Sequence, residues 1–165
     1  MVAGSELNRG LLRYKSWAND LLFKSLEGTS TATLEAQHPI VLVSIIRTLH
    51  HTYAMDAVWQ AHLQGEAHSY TSRNPPACPA FKELQLLQGK LHAWYCDYAA
   101  KLPPAQVTSA VEFEFIGGGA GRMTKEETLL HVVNHATYHR GHVSNMMYNA
   151  KLTPPTTDLP IYLQQ

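Results

Sequence analysis

One stretch of this sequence concentrates residues that can do chemistry: T-K-E-E-T-L-L-H-V-V-N-H-A-T-Y-H-R-G-H, from Thr124 to His142. It carries His131, His135, His139 and His142. On a helix, residues four apart are stacked neighbours with Cβ atoms about 5–6 Å apart. Two imidazoles at that spacing can close on one metal ion with M–N bonds of about 2.0–2.1 Å. His135 and His139 form such a pair. On a wheel of about 100° per residue, Leu129, Val132, Ala136, Val143, Met147 and Ala150 mark the apolar arc. His139 falls inside one edge of that arc and His135 just beside it. His131 and His142 fall further out, toward solvent.

A catalytic metal site takes three protein ligands and keeps one position open. The third ligand is expected from a facing helix, and T-L-H-H-T-Y-A-M-D-A-V-W (Thr48–Trp59) offers one. Met55, Trp59 and Leu63 set its apolar arc. His51 flanks that arc and His50 points nearly opposite, although the first half of the helix is apolar nearly all round and does not separate the two. His38, His62, His68 and His92 have no such setting and read as surface or loop residues. A ferritin-like di-metal centre needs E-x-x-H on two helices. The only E-x-x-H here, Glu35 to His38, runs straight into Pro39, so that reading fails. H-E-x-x-H is absent, and Gly117–Gly121 lacks the Lys-Ser/Thr of a P-loop.

Four long helices are expected to position these groups. Ser5 reads as an N-cap, and Leu7, Leu11, Tyr14, Trp17, Ala18 and Leu21 recur at spacings of three and four up to Gly28. Thr29–His38 reads as a loop. The second helix is predicted from about Pro39 to Gln64, with Gly65 just past its end. A polar connection holding Pro75, Pro76 and Pro79 follows. The third helix is predicted over about Ala80–Lys101. Val107–Phe115 alternates as a strand does and leads into Gly117-Gly118-Gly119, which signals a small hairpin closing near Arg122-Met123. Thr124 and Glu127 make a capping box for the fourth helix, about Lys125–Ala150. The tail, 157–165, reads as a short helical turn or strand. The expected fold is all-α: a four-helix bundle in one 165-residue domain, with a long connection after helix 2 and a small β-hairpin before helix 4.

The bulk numbers narrow the function. Lys+Arg and Asp+Glu are both 13, so the chain has no net charge with its ten histidines neutral. A large basic surface for nucleic acid is therefore not expected. Cys78 and Cys96 are the two cysteines, with no C-x-x-C, which fits a reducing compartment. No apolar signal segment or membrane-spanning run is visible. The expectation is a soluble cytoplasmic protein.

Three stretches together resemble the DinB family of metal-binding four-helix proteins. Y-K-S-W-A-N-D-L-L (Tyr14–Leu22) is similar to the family's Tyr-x-x-Trp-Ala-Asn opening. L-H-H-T-Y-A-M-D-A-V-W (Leu49–Trp59) is similar to its Leu-x-His-x4-Asp-x2-Trp pattern. N-H-A-T-Y-H-R-G-H (Asn134–His142) is similar to its Asn-His-x3-His-Arg-Gly-Gln pattern, with His142 in place of the Gln. The resemblance implies metal ligands at His51, His135 and His139, a divalent ion such as nickel or zinc, and a homodimer. It further implies a transferase that acts on a small-molecule substrate and uses a low-molecular-weight thiol as cosubstrate. Metal-assisted hydrolysis and a non-catalytic, metal-binding stress-response role stay open beside it. Asp56 and Arg140 are the candidate catalytic residues. Asp56 reads first as a hydrogen-bonding group of the core and second as a group that orients a ligand imidazole. Arg140 offers a guanidinium to a carboxylate or an anionic substrate. Asn134 and Tyr138 are expected to bracket the pocket. Cys78 and Cys96 are poor nucleophile candidates, lying in a Pro-rich loop and on a helix without a paired histidine.

Overall fold

A computed structural model of the chain describes residues 3–165, with side chains from Glu6 onward, so the cap read at Ser5 lies outside the described side chains. Four long helices carry the fold: α1 (Ala3–Leu26), α3 (Ile45–Gln64), α4 (Phe81–Lys101) and α5 (Lys125–Asn149). A short α2 (Thr31–Glu35) and a terminal α6 (Leu159–Tyr162) complete the helices. Strands β1 (Ala110–Glu114) and β2 (Ala120–Thr124) pair as an antiparallel hairpin ahead of α5. Both α1 and α3 pack against α4 and α5. The first two long helices are therefore diagonal partners rather than neighbours.

Several boundaries move for local reasons. Helix α3 begins at Ile45, not Pro39, because Ser44 caps it: the Ser44 hydroxyl accepts the Arg47 N–H at 3.3 Å. Just before it, 38–43 closes a tight turn in which the His38 N–H reaches the Val43 carbonyl and Val43 sits at φ 54°. A branched residue in the left-handed region is strained and ends any helix there. The loop expected over Thr29–His38 holds α2, capped by Ser30. Helix α3 does stop at Gly65, which takes φ 70° as a left-handed cap. The capping box of Thr124 and Glu127 is formed in both directions. The tail resolves as helical: Tyr162 of α6 packs on Trp17 with ring centroids 5.3 Å apart.

The core divides into two apolar clusters. One gathers Leu12, Trp59, Leu63, Leu91, Val132 and Val133 with the hairpin's Val111 and Phe113. The other gathers Leu22, Phe23, Ile45, Leu49, Leu84, Val143 and Met147. Lys15 and Asn19 on α1, Asp56 on α3, Gln88 on α4 and Arg140 on α5 fall between members of the two. Lys15 and Asp56, each 1% exposed, form an ion pair across the diagonal at 2.5 Å. Gln88 donates to the same Asp56 oxygen at 2.9 Å and to His92 Nε2 at 2.8 Å. Asn19 reaches His92 Nε2 at 3.2 Å and accepts from Arg140 Nη1 at 3.3 Å. Arg140 also donates to Tyr14 at 2.8 Å and to Thr157 at 3.2 Å.

Donor logic fixes this chain of contacts. A guanidinium only donates, so Asn19 must offer it Oδ1 and turn Nδ2 toward His92. His92 Nε2 is then an acceptor and the ring is neutral. Burial and the nearby cations Lys15 and Arg140 hold its pKa well below that of an ordinary imidazole. His92, read from sequence as a surface residue, is 3% exposed. His50, read as facing away from the core, is 5% exposed.

Removing one member of a buried ion pair leaves the other charge stranded, at a cost of about 3–5 kcal/mol. Asp56→Ala is therefore expected to lower the unfolding free energy by about that amount in a denaturant titration. The double variant Lys15→Met/Asp56→Leu is expected to recover most of the loss. A double variant as unstable as the single one would show that the charge itself is not what matters.

Candidate metal centre

The packing of α3 on α5 brings His51 opposite His135 and His139. Each of the three rings offers a nitrogen within 4.8 Å of the others. The ring centroids lie 4.6 Å (His51–His139), 4.5 Å (His135–His139) and 5.1 Å (His51–His135) apart. His51 Nε2 and His135 Nε2 stand 3.2 Å apart. Two nitrogens bound to one tetrahedral ion would be separated by about 3.3–3.4 Å.

The tautomer of His51 follows from its other nitrogen. His51 Nδ1 faces the Arg73 carbonyl and Asn74 Oδ1, both at 2.9 Å. Two oxygen acceptors place the proton on Nδ1 and leave the lone pair of Nε2 aimed at the other rings. The acceptors belong to the long connection, which Arg47 ties down by donating to the carbonyls of Pro75 and Pro76 at 3.0 and 2.9 Å. One α3 face thus anchors the connection at two residues a turn apart.

His135 and His139 are kept neutral. Burial, together with the neighbouring imidazoles, brings the pKa of His135 down to about 3 and that of His139 down to about 4. Nδ1 of each is buried without a hydrogen-bond partner. Three converging imidazoles with unused nitrogen capacity fit a divalent cation, and no acidic side chain belongs to the group.

The three rings line a cavity of about 320 Å³. Met55, Val58 and Trp59 of α3 form one wall; Phe113, Phe115 and Ile116 of the hairpin form another. His131 continues the histidine side, stacked on His135 with centroids 5.8 Å apart. Sequence reading set His131 toward solvent and His62 on the surface, yet both are half-buried and line this cavity. The pocket role of the hairpin was also missed, although the alternation at Val111, Phe113 and Phe115 carried the signal. Arg73 lines the cavity from the connection, where nothing in the sequence marked it.

The other candidates sit elsewhere. Asp56 and Arg140 belong to the buried network and do not line the cavity. Asn134 is exposed and Tyr138 is 64% exposed, so neither brackets the pocket. His142 packs beside Tyr138 and lies outside the converging group. Cys78 and Cys96 are both half-buried, and burial raises both thiol pKa values, which suppresses the thiolate. Among the described residues, no helix is long and apolar enough to cross a membrane.

A family profile described as the DinB family matches residues 4–165. The chain belongs to the DinB family. Protein DinB of Bacillus subtilis (strain 168) is 26% identical over 159 residues, covering 93% of this chain and 91% of that protein. The crystal structure of a DinB-like protein from Bacillus cereus ATCC 10987 superposes with a TM-score of 0.68, covering 87% of this chain and 91% of that one. Its sequence identity is 18%, so that likeness is one of fold. The four-helix architecture expected from the sequence is thus the DinB fold.

The depressed imidazole pKa values make a prediction for this DinB protein free of metal. An imidazole in the unfolded chain titrates near about 6.5, above His135 and His139 in the fold. As pH falls below about 6.5 the unfolded chain takes up protons first, so stability is lost from there down toward the folded values. In chelator, Tm is expected to fall between pH 7.5 and pH 5, and to fall less in His135→Gln. An equal fall in the variant would sink this assignment.

Proposed function

We propose that His51, His135 and His139 hold one divalent cation, nickel or zinc, and that the protein is a transferase using a low-molecular-weight thiol. The observation that carries this reading is the convergence of three imidazole nitrogen donors on the wall of a largely apolar cavity. A cation held by neutral ligands keeps its full charge and, when bound, lowers the pKa of a thiol or water beside it. The chain's own part is to orient and to shield. The Arg73 carbonyl and Asn74 fix the His51 ring, burial keeps His135 and His139 unprotonated, and the apolar walls limit competing water. Asp56 and Arg140 act on the site through the helices they lock together and touch no substrate.

Hydrolysis by an activated water is the second reading. It draws support from His62 and His131, imidazoles whose pKa values burial lowers and which line the same cavity, since one of them can take up a proton.

Metal analysis and X-ray absorption on untagged, reconstituted protein separate these readings. One ion per chain in a three-nitrogen site that gains a sulfur ligand on adding 2-mercaptoethanol is the expected result. His135→Ala is expected to weaken metal binding at least about tenfold, since losing even an outer partner of a ligand costs about 10–100-fold. One ion without sulfur uptake would favour hydrolysis or a non-catalytic role. Full metal occupancy in His135→Ala would overturn the ligand set.

A further inference from the structure

The hairpin wall depends on one missing side chain. Phe113 of β1 and Gly121 of β2 are paired directly across the ladder, so both face the same side of the hairpin. A Cβ built on Gly121 would lie 2.3 Å from Phe113 Cε2 and 2.4 Å from Cζ. The ring therefore occupies the space that any other residue at 121 would fill. Gly121 is not among the residues of positive φ, so its backbone accepts L side chains and the constraint is the ring alone. From that seat Phe113 meets Trp59 edge-on at 4.8 Å and lies 5.6 Å from His62. The neighbours a ring displaced from Gly121 would press on, Trp59, His62 and Phe115, all line the cavity.

The charges around the cavity are sparse. Arg73 and Glu114 are exposed and of opposite sign. Met55, Val58, Trp59, Phe113 and Ile116 present hydrocarbon and ring faces, which favour an apolar occupant through burial and edge-to-face contact.

We propose that Gly121 sets the depth of an uncharged aromatic subsite beside the histidines by seating Phe113, and that the subsite takes a neutral, aromatic-sized group of the second substrate. This rests on the transferase reading for its place in the reaction. The pocket itself is tested separately.

The test uses the full chain, metal-free and zinc-loaded, with 2-naphthol, 2-naphthoate and 2-naphthylmethylamine as probes. Binding is followed by calorimetry and by the NMR shift of the Trp59 indole N–H. Expected in the metal-free chain are a Trp59 shift with 2-naphthol and binding at least about tenfold weaker for both charged analogues, the scale on which such pockets discriminate. Gly121→Ala is expected to weaken 2-naphthol at least about tenfold with zinc affinity unchanged, and Gly121→Ala/Phe113→Leu to restore it. Rescue by the smaller side chain excludes a simple folding defect. Undiminished naphthol binding in Gly121→Ala, failure of rescue, or tighter binding of naphthoate to the metal-free chain would overturn the proposal. Zinc titration separates the two readings: absent zinc binding counts against the metal centre, absent naphthol binding against the subsite.

Discussion

Lys15 and Asp56 meet at the centre of the bundle, where neither can reach water. Everything at that level follows from the need to satisfy them. Gln88 turns its amide to Asp56, Tyr95 donates to the Asp56 backbone carbonyl, and His92 and Asn19 carry the pattern on to Arg140. The result is a polar cross-section between two apolar halves. It acts as a registration mark, because sliding any one helix by a turn, about 5.4 Å, would carry a charge in among leucines.

The histidine centre lies in the same cross-section. His139 is followed directly by Arg140, so one turn of α5 gives a ring to the cavity and a guanidinium to the interior. On α3, His51 and Asp56 divide the same two tasks. The contacts that fix helix register therefore also fix how closely the three rings approach. A buried charge network costs desolvation, and here it aligns groups that lie outside it.

Much of this was legible in the sequence because it rests on periodicity. The i, i+4 spacing of His135 and His139, the capping box at Thr124 and the glycine at position 65 are local signals, and the helices they mark are present. The failures share a different cause. Pro39 looked like a helix start, but the Ser44 hydroxyl and the strained Val43 turn decide the boundary. His92 looked like a surface residue because its partners, Asn19 and Gln88, come from another helix and from one turn away. His62 and His131 joined the pocket only when the hairpin folded over them. A wheel describes one helix, whereas burial is decided by what packs against it.

The connection between α3 and α4 has no regular structure, yet it sets the tautomer of His51. One of the two acceptors is the backbone carbonyl of Arg73, which every residue type possesses. Substitution at position 73 leaves that acceptor in place, whereas an insertion or deletion nearby moves it away. The orientation of the ring is thus written partly in the length of the loop, which places the position-73 carbonyl, and partly in the one side chain, Asn74, that supplies the second acceptor.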